Sequence, residues 1–296
     1  MKKTLQAQLL RAAIFLLTPF ESIEPLLRRL RYQSALFGVH EPRSDDIFIV
    51  SYPKSGTTMM QMMLYQLFTD GSLNISHISS VCPWFEYEYM NHGSDSTREL
   101  FESLPSPRVF KSHLHYEDLP RQGKFIYIAR GVRDVMVSFY HHRRLMTGRD
   151  PDRDRFMNRF LRTRTPMLSW FKNLESWWPR RHDENVLFLT YEDILKDLEG
   201  TVRKVAAFCK IEVDPGSMPR ILERCSLGFM KQHWDKFDPR LHRISPSRTE
   251  FIRKGMVGAG RQELTPEQET LVSRRLQALV ARLGCSPDDP YSEFFT

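Results

Sequence analysis

The stretch from Ile47 to Phe68, IFIVSYPKSGTTMMQMMLYQLF, limits the possible folds of this chain more than any other. Ile47, Phe48, Ile49 and Val50 form a short apolar run ended by a turn, the pattern of a strand buried on both faces. Ser51 to Gly56 reads as that turn, and Thr57 onward as an apolar helix carrying Met59, Met60, Met62, Met63, Leu64, Leu67 and Phe68. A buried strand, a glycine-containing turn and a helix together aim backbone N–H groups of the first helical turn at an anion. Lys54 adds a positive charge at the same spot, and Ser55, Thr57 and Thr58 add hydroxyl donors. The expected ligand is a phosphate-like dianion. The turn is not a Walker A loop, which needs G-x-x-x-x-G-K-[ST]: Lys54 precedes Gly56, and Ser51 stands where the first glycine belongs. An ordinary capped junction explains a lone Gly-Thr pair, but not Pro, Lys, Ser, Gly and two Thr in succession.

Further apolar runs repeat the strand pattern. Arg108 to Leu114 reads as a second strand, whose alternation sets Val109, Lys111 and His113 on one side. Beside an anion site, Lys111 and His113 are candidates for charge stabilisation and general base work, against the plainer reading of a structural strand-end histidine. Lys124 to Ala129 is a third run and ends in Arg130, where a P-loop NTPase would carry a magnesium-binding Asp. Asp134 is expected to cap a helix from Val135 to Leu145, with Arg130 and Ser138 placed to grip a second phosphate. Val186 to Thr190 is a fourth run, and Tyr191-Glu192-Asp193 opens a helix to Cys209. Pro166 is expected to start an amphipathic helix through Trp170, Phe171, Leu174, Trp177 and Trp178. Thr265 and Pro266 are the N-cap and first position of a last helix ending near Leu283. Strands alternating with helices, without long linkers, give an α/β fold: a single domain with a central parallel sheet flanked by helices. Ligands on such sheets sit at the carboxyl ends of the strands, where Lys54, His113 and Arg130 all fall.

Two segments stand apart. Residues 1–40 read as a basic and apolar helical extension before a domain expected to span 41–296. Within it, residues 1–32 combine Lys2, Lys3, Arg11, Arg28, Arg29 and Arg31 with apolar runs too short to span a bilayer. They read either as two helices packed on the body, or as an anchor for peripheral membrane contact or a lid. Val81 to Tyr89, VCPWFEYEY, reads as an aromatic loop that either plugs the core or, through Trp84, Phe85 and Tyr87, walls an apolar pocket together with Tyr140. The arginine-rich stretch from His141 to Arg164 reads as a solvated face, with Gly148 to Asp154 as a mobile loop.

Charge narrows the partners. The 296-residue chain carries a net +7, which favours anionic ligands. No zinc finger, RRM signature or interleaved aromatic–basic stripe accompanies it, so no nucleic-acid partner is expected. Cys82, Cys209, Cys225 and Cys285 are widely spaced and form no C-x-x-C, which suits reduced thiols in a cytoplasmic enzyme.

In order along the chain, these residues resemble the cytosolic sulfotransferase family, whose fold is P-loop-NTPase-like. Tyr52 to Thr58 match the family's YPKSGTTW, and Lys111-Ser112-His113 its KxH step. Arg130, Asp134, Val135, Val137, Ser138 and Tyr140 match R-N-P-K-D-V-x-V-S-x-Y. Trp177-Trp178, Val186-Leu187 and Tyr191-Glu192-Asp193 match W-W…V-L…YED, and Arg253-Lys254-Gly255 the RKG step.

The resemblance implies sulfuryl transfer from 3′-phosphoadenosine 5′-phosphosulfate (PAPS), without a metal, to a hydroxyl of an apolar acceptor such as a phenol, steroid or lipid alcohol. It puts Lys54, Ser55, Gly56, Thr57 and Thr58 on the 5′-phosphosulfate. Arg130, Ser138, Arg253, Lys254 and Gly255 fall on the 3′-phosphate, and Tyr191 on the adenine. His113 becomes the base, with Lys111 and Lys54 stabilising charge on the transferring group. Three departures mark a divergent, bacterial rather than vertebrate drug-metabolising, member. Met59 replaces the adenine-stacking Trp. Leu227 replaces the Phe of the adenine segment, here Cys225 to Met230. Met256 to Gly260 lack the Asp and Trp that end the RKG motif. The family's dimer motif is degraded to Thr265 alone, leaving the oligomeric state open. The competing readings are a nucleotide-dependent phosphotransferase or kinase, which would need Mg²⁺ and ATP, and a non-catalytic nucleotide-binding membrane-surface protein.

Overall fold

Four of the apolar runs become four parallel strands: β1 (Ile47–Ser51), β2 (Val109–Ser112), β3 (Lys124–Ala129) and β4 (Val186–Thr190), in spatial order β2-β1-β3-β4. The computed structural model describes residues 41–92, 94–163, 169–237, 255, 257–285, 289 and 291–295. The expectations for residues 1–40, Pro166, Arg253 and Lys254 lie outside the described residues.

β1 is central and buried along its whole length, with Ile47 opposite Val109 on one side and Lys124 on the other. Its alternation feeds two apolar layers. Phe48 and Val50 join Phe110, Phe125, Tyr127 and Phe188, while Ile47 and Ile49 join Val109, Ile126, Ile128 and Leu189. The first layer is closed by helices α4 (Val132–Thr147), α6 (Trp170–Trp177) and α11 (Pro266–Leu283). The second is closed by α1 (Thr57–Phe68), α7 (Tyr191–Lys196), α8 (Leu198–Cys209) and α9 (Met218–Cys225). The result is a helix–sheet–helix sandwich.

The N-terminal ends of the strands are tied around Asp46. Its carboxylate takes Nε and Nη2 of Arg108 at 2.7 Å each, both residues being buried, and its carbonyl oxygen accepts the Lys124 N–H at 2.8 Å. Breaking such a buried two-pronged pair leaves an uncompensated charge, at a cost of about 3–5 kcal/mol. The pair therefore fixes the register at one end of the sheet and leaves the opposite end to carry the loops.

Several local expectations change. The aromatic segment is helical from Phe85, as α2 (Phe85–His92), because the Tyr87 and Glu88 N–H groups both reach the Trp84 carbonyl and two glutamates complement the helix N-terminus. α3 (Ser94–Ser103) follows it. α4 starts three residues earlier than expected: Gly131 is its N-cap, and Asp134 does not cap it. The stretch from Gly148 to Asp154 is a tight connection, in which Gly148 ends α4 and Asp152 caps α5 (Arg153–Arg162). Ser169 is the N-cap of α6. The helix expected from Tyr191 to Cys209 is broken at Asp197, whose carboxylate caps α8. α11 begins as the sequence indicates, with Thr265 and Gln268 forming a reciprocal capping box. Among the described residues no helix is long and apolar enough to cross a membrane.

Candidate active site

A cavity of about 410 Å³ opens at the carboxyl ends of β1, β2 and β3. Its floor is the turn between β1 and α1. Lys54 and Gly56 adopt positive φ, 74° and 100°, which folds the turn over the helix N-terminus. Ser51 and Thr57 lock it with a 2.6 Å hydroxyl–hydroxyl contact. Lys54, Gly56, Thr57, Thr58 and Met59 line the cavity. Ser55 is fully buried, and its Oγ has no hydrogen-bond partner among the described residues, so the turn keeps a donor for a group it would hold.

β2 delivers the second wall. The Lys111 ammonium lies 4.4 Å from the Trp84 ring centre, and the His113 ring meets Trp84 edge-on at 5.2 Å. His113 Nδ1 sits 2.8 Å from the Ser51 carbonyl oxygen, and its backbone N–H donates to Glu86 Oε1 at 2.6 Å. A carbonyl oxygen can only accept, so Nδ1 carries the proton and Nε2 is the unprotonated nitrogen. Burial, then the nearby Lys111, Lys54 and His142, bring the His113 pKa down to about 3, although the Ser51 hydrogen bond opposes the shift. The imidazole is therefore neutral at any physiological pH. Glu86 behind it is held above the usual carboxylate range by burial.

β3 and α7 supply the third wall. Arg130 donates to the Lys54 carbonyl at 3.0 Å, and its guanidinium carbon lies 4.2 Å from the Tyr191 ring centre. Asp134, Ser138 and His142 follow at four-residue intervals along one face of α4, and all three line the cavity. Glu192, next to Tyr191, accepts the Gly131 N–H at 3.0 Å and so tethers the start of α4 to α7. Cys225, Leu227 at the start of α10 (Leu227–Gln232), and Gly255 line the remaining side. Leu227 presses on Gly255, where a Cβ would fall 2.6 Å from Leu227 Cδ2.

The sequence-expected residues thus divide. Lys54, Gly56, Thr57, Thr58, Met59, Lys111, His113, Arg130, Ser138, Tyr191, Cys225, Leu227 and Gly255 surround one cavity, with Ser55 buried beneath it. Of the expected acceptor wall only Trp84 lines it. Phe85 is turned into the core against Phe48, Phe101 and Phe110. Tyr87 stacks on Trp84 at 5.3 Å without lining the cavity. Tyr140 is buried and donates its hydroxyl to Asp150. Phe139, His142 and Phe237, not singled out in the sequence, line the cavity, as does Met230 at the end of the expected adenine segment. The four-residue interval from Ser138 is the signal that marks His142.

Comparison with known proteins gives the family and the fold. The model of a family described as the sulfotransferase domain matches residues 44–284. The chain is 32% identical over 256 residues to a luciferin sulfotransferase of Photinus pyralis, covering 77% of this chain and 69% of that one. It is 30% identical over 257 residues to an amine sulfotransferase of Oryctolagus cuniculus, covering 80% and 81%. Among solved structures, retinol dehydratase in complex with androsterone and the inactive cofactor PAP superposes with a TM-score of 0.71 at 25% identity over 85% of each chain. A mouse sulfotransferase complexed with PAP gives 0.67 at 29% identity, covering 89% of this chain and 92% of that one.

Proposed function

The chain belongs to the sulfotransferase family, and we propose that it transfers the sulfuryl group of PAPS to a hydroxyl of an apolar small molecule, a phenol, steroid or lipid alcohol. The observation that carries the reading is the meeting of Lys54, Lys111, His113 and Arg130 at three adjacent strand ends around one cavity. The orphaned Ser55 hydroxyl, and the glycines kept bare by Tyr191 and Leu227, fit an anionic nucleotide.

When bound, the donor supplies a sulfuryl group on a phosphate leaving group. His113 Nε2 takes the acceptor's hydroxyl proton as the new oxygen–sulfur bond forms. The neutral imidazole is ready for this, and the Ser51 carbonyl fixes its tautomer. Lys111 meets the charge on the transferring group, and Lys54 the charge that develops on the bridging oxygen as the old bond breaks. Ser55, Gly56, Thr57 and Thr58 hold the 5′ end. Arg130, Ser138 and the RKG step hold the 3′-phosphate, with Arg253 and Lys254 outside the described residues. Met59, Tyr191, Cys225 and Leu227 surround the base, and Trp84 is the acceptor-side wall. No divalent cation takes part in this scheme.

The proposal extends to a cytoplasmic location, to residues 41–296 as the catalytic domain, and to peripheral membrane contact through residues 1–32 of the 1–40 extension. Incubation with radiolabelled PAPS and a panel of phenols, steroids and long-chain alcohols is the deciding experiment. Label on a hydroxyl acceptor without added Mg²⁺ supports the reading. Label transferred only from γ-labelled ATP with Mg²⁺ would replace it with the kinase alternative.

A further inference from the structure

A carboxylate is out of place in a cleft that binds anions, yet Asp134 lines this one. It is buried, and both of its oxygens are occupied. Oδ2 accepts the Gly258 N–H at 2.9 Å, and Oδ1 accepts the Gly260 N–H at 2.6 Å. Arg130 Nη2 lies 3.9 Å from Oδ2. Gly260 is seated so tightly that a Cβ would fall 2.5 Å from the Arg133 carbonyl group. Gly258 turns with φ 78°, and Gly255, on the same short segment, reaches into the cleft. Farther along the chain the contact continues. His141 Nε2 lies 3.3 Å from Glu263, and Arg133 Nη2 lies 2.6 Å from Glu269.

We infer that Asp134 is a positioning residue, the buckle that fastens the strap 257–260 to the first turns of α4 and so sets where Gly255 meets the 3′-phosphate. This rests on the donor reading above. An ionised carboxylate forms short, strong bonds to backbone N–H groups, and no neutral side chain of this size can accept from two donors on two separate oxygens. The same charge lies beside Arg130, four residues earlier on the helix. One carboxylate therefore holds both the strap and the guanidinium expected at the 3′ end. The unlike charge inside an anion site is the means by which two separate chain segments face one phosphate.

The test uses the full chain and two probes, 3′,5′-diphosphoadenosine and 5′-AMP, in calorimetric titrations. Asp134→Asn keeps the shape but turns an amide N–H₂ toward one of the backbone donors. Gly260→Ala lifts the strap by steric pressure and leaves the carboxylate intact. Both variants are expected to weaken the diphosphate by about tenfold or more, the worth of hydrogen bonds to a charged partner. AMP, which lacks the 3′-phosphate, should lose no more than about threefold in affinity, because the charged contact at stake is not made to it. In the free protein, amide exchange at Gly258 and Gly260 should quicken in Asp134→Asn. If the variants weaken both probes equally, or neither, Asp134 is a structural residue only and the inference falls, while a wild-type preference for the diphosphate leaves the donor reading standing. A wild type that binds the two probes alike overturns both.

Discussion

The ring of Tyr191 rests on Gly56: a Cβ at that glycine would lie 2.6 Å from Tyr191 Cδ2. Because Arg130 lies over the same ring, one aromatic side chain links the β1–α1 turn, the end of β3 and the start of α7.

Gly56→Ala therefore meets two penalties, a positive φ of 100° and the Tyr191 ring. Strain of this kind costs about 1–3 kcal/mol. Reduced stability in urea titration, together with loss of diphosphate binding, is the expected outcome. A variant with wild-type affinity would show that the turn does not need its bare backbone.

His113→Ala should leave nucleotide affinity intact and lower turnover by roughly 10²–10⁴-fold, the usual worth of a placed general base. With its pKa near 3, His113 gives no acid limb near 6.5 in a pH profile of kcat/KM. Its contribution to stability has a definite sign. The unfolded chain takes up this proton near 6.5 and the folded chain only near 3, so stability falls as pH drops through that window. Urea titrations from pH 7 to pH 4 would show that fall, and His113→Ala should lessen it.

Arg130→Ala should weaken 3′,5′-diphosphoadenosine by more than about tenfold while affecting 5′-AMP much less, since hydrogen bonds to charged partners are worth ~1.5–3 kcal/mol each. Equal losses would move Arg130 to the 5′ end, where it already touches the Lys54 carbonyl.

The strands, their parallel direction and the residues at their ends were legible, because buried apolar runs and their terminal charges are local patterns; the spatial order β2-β1-β3-β4 was not. Ser138 was reached through its place in the helix after Arg130, and the role of Tyr191 only through a family motif. What stayed hidden was set by tertiary packing. The run Trp84, Phe85, Tyr87 reads the same whether a ring faces a cavity or a core, and only the helix starting at Phe85 sends Phe85 inward and leaves Trp84 at the cleft. Asp134 has the composition of a cap, but its acceptors are claimed by glycines far along the chain. Glu86, which holds the His113 backbone, carries no mark in sequence beyond its place in an aromatic run.

Met59 and Leu227 both line the cavity where the family pattern has aromatic rings. Base–aromatic stacking is worth ~1–3 kcal/mol per base, and aliphatic or thioether contact supplies less oriented surface. The nucleotide should thus depend on charge, with affinity falling steeply as salt rises. Met59→Trp should tighten diphosphate binding, flatten the salt dependence and, where product release limits turnover, slow the steady state. Titrations of both proteins at two salt concentrations measure this. Unchanged affinity would remove position 59 from the adenine contact.

The central position of β1 has a consequence for how activity first arises in the newly made chain. Its partners, with Ile47 beside Val109 and Lys124, are supplied by much later segments, and β4 joins only through β3. Pairings this distant in sequence form slowly, because a long loop must close before they are rewarded. No fragment that ends before β3 holds Lys54, His113 and Arg130 together, so the cleft cannot assemble until β3 has paired with β1. Trp84, touching Lys111 at the cleft, is placed to report that moment by its fluorescence once the other four tryptophans are replaced by phenylalanine.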